Sequence, residues 1–290
     1  MTRVFVKIER FSGMKPLRIS AISYLNTAPL MWDFEHGPAR PEFSVSYTIP
    51  SHCAASLLDG SADIGIIPAA AYTTIPNLQV LPGVAIASRR AVGSILLVSR
   101  MPLEMVQTVA LDSSSLTSVA LTKVLFEKWW GGGRSFTSMA PDVHQMLREC
   151  DAGLVIGDPA LRIDRSKYIT YDLAEEWIRL TGKPFVFAFW AVRQEALKSA
   201  STDLDLARVF QQSRDHGLLP NSLNQIASQW SPRLGLSEPD IKRYLTENIH
   251  YYLDAECIEG MNLFFRYGHE CAALPQAPEL RFFEHMTLSS

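Results

Sequence analysis

Two polar turns hold the residues with the clearest chemical potential. The first is Ser23-Tyr24-Leu25-Asn26-Thr27-Ala28-Pro29-Leu30, directly behind the apolar run Leu17-Arg18-Ile19-Ser20-Ala21-Ile22. The second is Asp112-Ser113-Ser114-Ser115-Leu116-Thr117-Ser118, again between a strand-like run and a helical pattern. In the first, Asn26 or Thr27 can cap a helix, and Pro29 fits a first turn that needs no N–H there. Such a turn aims free backbone N–H groups and the positive end of a helix dipole at whatever sits above the strand. In the second, the hydroxyls of Ser113, Ser114, Ser115, Thr117 and Ser118 add donors without a fixed charge. This set suits a carboxylate. Each turn alone also reads as ordinary helix capping. Two of them, one in each of two α/β blocks, suggest that each grips one end of a small dianion.

Three further segments point toward the same place. Gly157-Asp158-Pro159-Ala160-Leu161 closes a buried strand, where exposed backbone faces a cleft, or where Asp158 simply caps the next helix. Ser94 precedes Ile95-Leu96-Leu97-Val98, as a cleft donor or as part of a solvated face. Phe185-Val186-Phe187-Ala188-Phe189-Trp190 either walls a ring-shaped ligand or fills the core. The acids in these motifs are Asp112 and Asp158, both also readable as caps, and no histidine falls in any of them.

The elements that must position these residues alternate. After the first strand, 43–49 has the period-two pattern of a strand, Ser51 caps a helix through Leu58, and 63–68 is a short buried strand. A helix begins at Ala69 and closes before Pro76, and 80–87 and 93–99 read as long strands. The second block runs from a strand at 106–111 through a helix at 117–129, the Gly131-Gly132-Gly133 connection, a helix at 141–150 and a strand at 152–157 to the aromatic strand at 185–192. Helices are expected at 204–216, 222–230, 238–253 and 258–269. This order predicts an α/β fold of two lobes with a cleft between them. Lobe one comprises 1–99 plus 193–290, and lobe two 100–192. Extended crossovers at 93–99 and 185–192 join them. A single doubly wound sheet would leave the helical tail unexplained.

The chain has 290 residues and a net charge of −3 with both signs mixed along it, which argues against a nucleic-acid or membrane-surface partner. No stretch approaches the roughly 20 apolar residues of a membrane span. Residues 1–14 scatter Arg3, Lys7, Glu9 and Arg10 among apolar positions, unlike a secretory signal. They read as a disordered extension, with Met14 an alternative start. Cys53, Cys150, Cys257 and Cys271 show no C-x-x-C spacing, so free thiols in a reducing cytoplasm are expected. The seven histidines form no H-x-x-x-H or H-E-x-x-H pattern, which gives no sign of a metal site, although distant ligands can converge in space. The oligomeric state stays open, a homodimer included.

Five motifs in order resemble one family. Ser-Tyr-Leu-Asn-Thr-x-Pro-Leu at 23–30, Ala-Asp-Ile-Gly-Ile-Ile-Pro at 62–68 and Leu-Asp-Ser-Ser-Ser-x-Thr-Ser-Val-Ala-Leu at 111–121 are similar to the chorismate dehydratases of the futalosine route to menaquinone. So are Ile-Gly-Asp-Pro-Ala-Leu at 156–161 and the segments Asp-Leu-Ala-Glu-Glu-Trp and Thr-Gly-Lys-Pro-Phe-Val-Phe-Ala-Phe-Trp-Ala within 172–191. The resemblance covers about residues 17–270. It implies a type II periplasmic-binding-protein fold turned to catalysis in the cytoplasm, with chorismate as substrate and no metal or organic cofactor. It implies active-site roles for Asn26 and Ser94, and carboxylate binding by the 113–118 turn. Many relatives carry Arg where this chain has Leu116, so the charge would come from elsewhere, such as Arg89 or Arg90, or hydroxyls and N–H groups would suffice. The related 1,4-dihydroxy-6-naphthoate synthases share the fold but open with a Ser-Pro-Cys-Pro-Asn-type motif and use a catalytic His, neither of which stands here. A non-catalytic small-carboxylate binding protein is the alternative from another class.

Overall fold

The computed structural model describes residues 15–38, 41–197 and 204–284, so the extension at 1–14 lies outside the described residues. The run behind the first turn is strand β1 (Leu17–Ile22), buried except at Arg18. A 3-10 helix (Leu25–Met31), α1 (Trp32–His36), β2 (Phe43–Thr48), α2 (Pro50–Leu58) and β3 (Ile64–Pro68) follow. A 3-10 turn at Ala69–Thr73 leads into the long β4 (Leu78–Ser88). The next stretch carries β5 (Ile95–Ser99), β6 (Thr108–Asp112), α3 (Thr117–Lys128), β7 (Ser135–Met139), α4 (Val143–Glu149), β8 (Ala152–Ile156), α5 (Gly157–Leu161), β9 (Ile169–Asp172) and α6 (Leu173–Thr181). Then β10 (Phe185–Arg193) precedes α7 (Gln194–Leu197), α8 (Leu206–Gly217), α9 (Pro220–Leu234), α10 (Glu238–Arg243), a π turn at Tyr244–Asn248 and α11 (Ala255–Glu270).

Two five-stranded sheets result, ordered β2-β1-β3-β10-β4 and β7-β6-β8-β5-β9. In the first, β1 runs parallel to β2 and β3, while β10 lies antiparallel between β3 and β4. The second repeats the plan, with β6 parallel to β7 and β8, and β5 antiparallel between β8 and β9. The strands expected as crossovers belong instead to the sheets. Ile95–Ser99 is an inner strand of the second sheet, and Phe185–Arg193 an inner strand of the first. The chain therefore crosses earlier than expected each time, at 89–94 and 182–184. The sequence could not separate these options, because a strand buried on both faces is uniformly apolar in either sheet. The outward crossing is anchored by Asp172, whose carboxylate accepts the Val92 and Gly93 N–H groups at 3.0 and 2.7 Å and also caps α6.

Aromatic packing ties the returning crossing to the helices. Trp177 of α6 and Phe264 of α11 meet Phe185 at ring-centre distances of 5.3 and 5.0 Å. Further along β10, Trp190 packs on Phe210 of α8 at 4.6 Å. Strands β7 and β9 and helix α6 were not anticipated. The expected single helix over 238–253 stops at Arg243, passes through the π turn, and continues extended so that His250 pairs with Ala87. α2 starts on Pro50 with Ile49 at its cap, so Ser51 is not the cap. Its N–H reaches the Ser114 carbonyl at 3.2 Å.

Candidate active site

Both turns open onto one pocket between the sheets. Ile22, Asn26, Pro68, Ile86 and Phe187 line it from the first sheet and its turns, and Ser94, Ser115, Thr117, Ser118 and Gly157 from the second. The space measures about 460 Å³, part of it open to solvent. Tyr24 and Phe187 give it aromatic walls, and none of its lining residues is charged. Phe187 is buried as well, so it belongs both to the pocket wall and to the core.

Local bonding decides which hydroxyls remain free. The Thr117 hydroxyl accepts from the Ala70 N–H and donates to the Phe187 carbonyl, both at 3.1 Å. Its donor is therefore used by the protein. Ser115 accepts the Ser118 N–H at 3.2 Å, which caps the first turn of α3 and leaves the Ser115 proton unclaimed among the described residues. The Ser118 hydroxyl has no protein partner there either. Ser94 is buried, and its Oγ accepts from the Tyr244 hydroxyl at 2.9 Å while its carbonyl accepts the Gly157 N–H at 2.7 Å. Tyr251 donates to the Asn26 carbonyl at 3.0 Å. Burial raises the pKa of the Tyr244 and Tyr251 hydroxyls, so both stay protonated donors.

Four expected site residues do not line the pocket. Thr27 is buried behind it and borders an adjoining cavity with Tyr47, Trp230 and Arg233. Ser113 is exposed and donates its N–H to the Met139 carbonyl at 2.9 Å. Ser114 gives its N–H and hydroxyl to Asp112 Oδ1 at 2.9 and 2.6 Å. Asp158 Oδ1 accepts the Leu25 N–H at 3.1 Å, across the cleft. Asp158 thus takes the place expected of Asn26 or Thr27 and satisfies a free donor at the start of the 3-10 helix, where no residue of that helix's own segment supplies a side-chain cap. Burial raises the pKa of Asp158 and of Asp112, opposed by these same hydrogen bonds. Neither Arg89 nor Arg90 supplies a charge to the pocket. Arg89 pairs with Asp254 and Glu256 at the surface. His250, Asp254 and Cys257 do converge, with ligand-type atoms within 4.8 Å of one another, but the Arg89 guanidinium already sits on Asp254 at 2.8 Å. All four cysteines are free thiols.

Tyr244 and Tyr251 were missed because no motif surrounds them. Their role depends on the π turn, which only tertiary packing reveals. Tyr24 stands inside the first motif, yet its part as a pocket wall comes from its neighbours. A Cβ at Gly157 would lie 2.7 Å from the Tyr24 ring, so the ring rests on the Gly157 backbone.

Two sheets with a pocket between them define a periplasmic-binding-protein-like fold. The alkanesulfonate-binding protein SsuA from Xanthomonas axonopodis pv. citri, bound to MOPS, matches it with a TM-score of 0.64 at 15% identity, over 91% of this chain and 95% of that one. A crystal structure of an Archaeoglobus fulgidus protein matches with a TM-score of 0.72 at 15% identity, over 90% and 99%. In sequence, the chain is 27% identical to a chorismate dehydratase from Thermus thermophilus over 283 residues, covering 91% of this chain and 98% of that protein. The chain belongs to the menaquinone-biosynthesis family, whose model matches residues 17–270.

Proposed function

We propose that this protein is a chorismate dehydratase. It eliminates water from chorismate to give 3-(1-carboxyvinyloxy)benzoate within menaquinone synthesis. The observation that carries this reading is the convergence of Asn26, Ser94, Ser115 and Ser118 on one aromatic-walled pocket without a charged side chain. Its support in sequence is the Thermus thermophilus relative and the family membership. A futalosine route and a cytoplasmic location rest on the motif resemblance.

Chorismate carries a ring carboxylate, a ring hydroxyl and an enolpyruvyl ether with a second carboxylate. In the reaction, the C–H bond at the ether-bearing ring carbon and the C–O bond to the neighbouring hydroxyl break. A ring double bond forms, the ring becomes aromatic, and water leaves. Aromatisation supplies the driving force, so the protein's task is positioning and charge stabilisation. A protein base is normally a His or a carboxylate with a tuned pKa. No lining residue is either, and Asp158, whose Oδ1 accepts the Leu25 N–H, lies outside the lining. The enolpyruvyl carboxylate, folded against the ring by the pocket, takes the proton. Asn26 and Ser94 hold that pose and donate to charge developing at the ring carboxylate or the leaving hydroxyl. The free Ser115 and Ser118 hydroxyls at the α3 N-terminus receive the other carboxylate without an Arg at position 116.

The fold is shared with binding proteins, so the direct test is incubation with chorismate followed by chromatography. The proposal predicts a product lighter by one water. Binding without any product would mark a carboxylate-binding protein instead.

A further inference from the structure

The Ser94 hydroxyl is set as a donor by a residue outside every recognisable motif. Its oxygen accepts the Tyr244 hydroxyl proton at 2.9 Å, and among the described residues nothing accepts the Ser94 proton in return. Ser94 lines the pocket and is almost fully buried, so that proton faces the ligand space. Tyr244 itself is buried at the first position of the π turn that interrupts the expected helix over 238–253. Such a turn changes which side chains face inward, and isolated π turns recur at functional sites.

We propose that Tyr244 is a positioning residue that orients the Ser94 hydroxyl toward an oxygen of the bound substrate, building a hydrogen-bond chain from Tyr244 through Ser94 to the ligand. The inference rests on the proposed function. Serine alone can rotate its proton freely and can accept as readily as donate. With one of its two lone pairs occupied by the Tyr244 proton, the Ser94 hydroxyl is turned so that its own proton is left for the pocket. Each bond of such a chain also polarises the next, so the donated proton is a stronger one. The pocket therefore offers a pre-oriented donor to an acceptor oxygen, a carboxylate or a departing hydroxyl, at the Ser94 position. The two tyrosines share the work across one short segment. Tyr251 fixes the Asn26 backbone at 3.0 Å, and Tyr244 fixes the Ser94 side chain. The C-terminal portion of the chain thereby aligns two residues carried by different sheets.

The test is a cycle of Tyr244→Phe, Ser94→Ala and the double variant, with chorismate turnover read as kcat and KM separately. Phe keeps the ring and its packing, and thermal melts verify the fold of each variant. Losing one oriented hydrogen bond is expected to lower kcat about tenfold in Tyr244→Phe, with a smaller change in KM. In the Ser94→Ala background, Tyr244→Phe is expected to change kcat by less than about twofold, because its action passes through Ser94. A merely structural Tyr244 would give multiplying effects in the double variant. That result, or a Tyr244→Phe enzyme with unchanged kcat, overturns the inference. If the unmodified protein binds chorismate without converting it, the dehydratase reading falls and the same cycle is read in chorismate affinity, with the same non-additivity expected. If it does neither, both fall.

Discussion

The Thr117 hydroxyl links α3 to the first sheet by accepting from Ala70 and donating to Phe187, and it does so fully buried. Its chemistry is structural even though its position is at the pocket wall. Thr117→Val keeps the shape but strands a buried N–H and a buried carbonyl. We expect a loss of about 1–3 kcal/mol in urea-unfolding stability, the usual cost of an unsatisfied buried group. A variant as stable as the parent would show that the bridge contributes nothing net. At this scale the sequence is a good guide to where polar residues gather and a poor guide to which of them face ligand. Ser114 and Ser115 are adjacent and chemically identical. The first is used up by Asp112, whereas the second keeps its proton for the pocket. That difference is set by local backbone direction, which composition and spacing do not encode.

Among the elements, α5 begins at Gly157 with φ +63°, a left-handed backbone that costs residues with a Cβ roughly 1–2 kcal/mol. A Cβ there would also meet the Tyr24 ring at 2.7 to 3.0 Å. Gly157→Ala should therefore push Tyr24 off α5 and disturb the neighbouring contact between Leu25 and Asp158. The expected outcome is a lower melting temperature together with a raised KM for chorismate. An unchanged KM would mean that this contact does not shape the pocket. The N-terminus of α11 is held by a charged cap. Asp254 caps this helix through Cys257 and accepts from Arg89 and His250. Burial alone would raise its pKa, but these partners outweigh it and hold the carboxyl well below its ordinary range. A depressed folded-state pKa stabilises the fold fully above the unfolded value, about 3.9, and that contribution shrinks progressively as pH falls from there through the depressed value. Asp254→Asn, which can still cap, should lower the melting temperature at pH 7 and lower it less at pH 3. An equal or larger difference at pH 3 would contradict the assignment. The long apolar strands were legible because period and burial agree. The break between α10 and the π turn was not, because the pattern over 238–253 is continuous and only packing of Tyr244 and Tyr251 into the site interrupts it.

The whole molecule is two sheets of one plan, each with an antiparallel strand set among parallel ones, bridged across the pocket by the Leu25–Asp158 and Ala70–Thr117 hydrogen bonds. The α/β class and the pocket between sheets were readable from the alternation of elements and the two matching turns. The crossing points were not, since the crossovers continue directly into buried strands. Among the described residues no helix is long and apolar enough to cross a membrane. At this scale we propose that an uncharged pocket performs the dehydration by positioning, with the proton taken by the substrate's own carboxylate. Single-turnover conversion of chorismate by Asn26→Ala and by Asp158→Asn tests it. Asn at 158 keeps an oxygen for the Leu25 N–H, so that variant should retain its rate to within about tenfold. Asn26→Ala removes a donor at the reacting centre and should lose on the order of 10²–10³ in rate. An inactive, folded Asp158→Asn beside a near-normal Asn26→Ala would place the base on the protein and contradict the account.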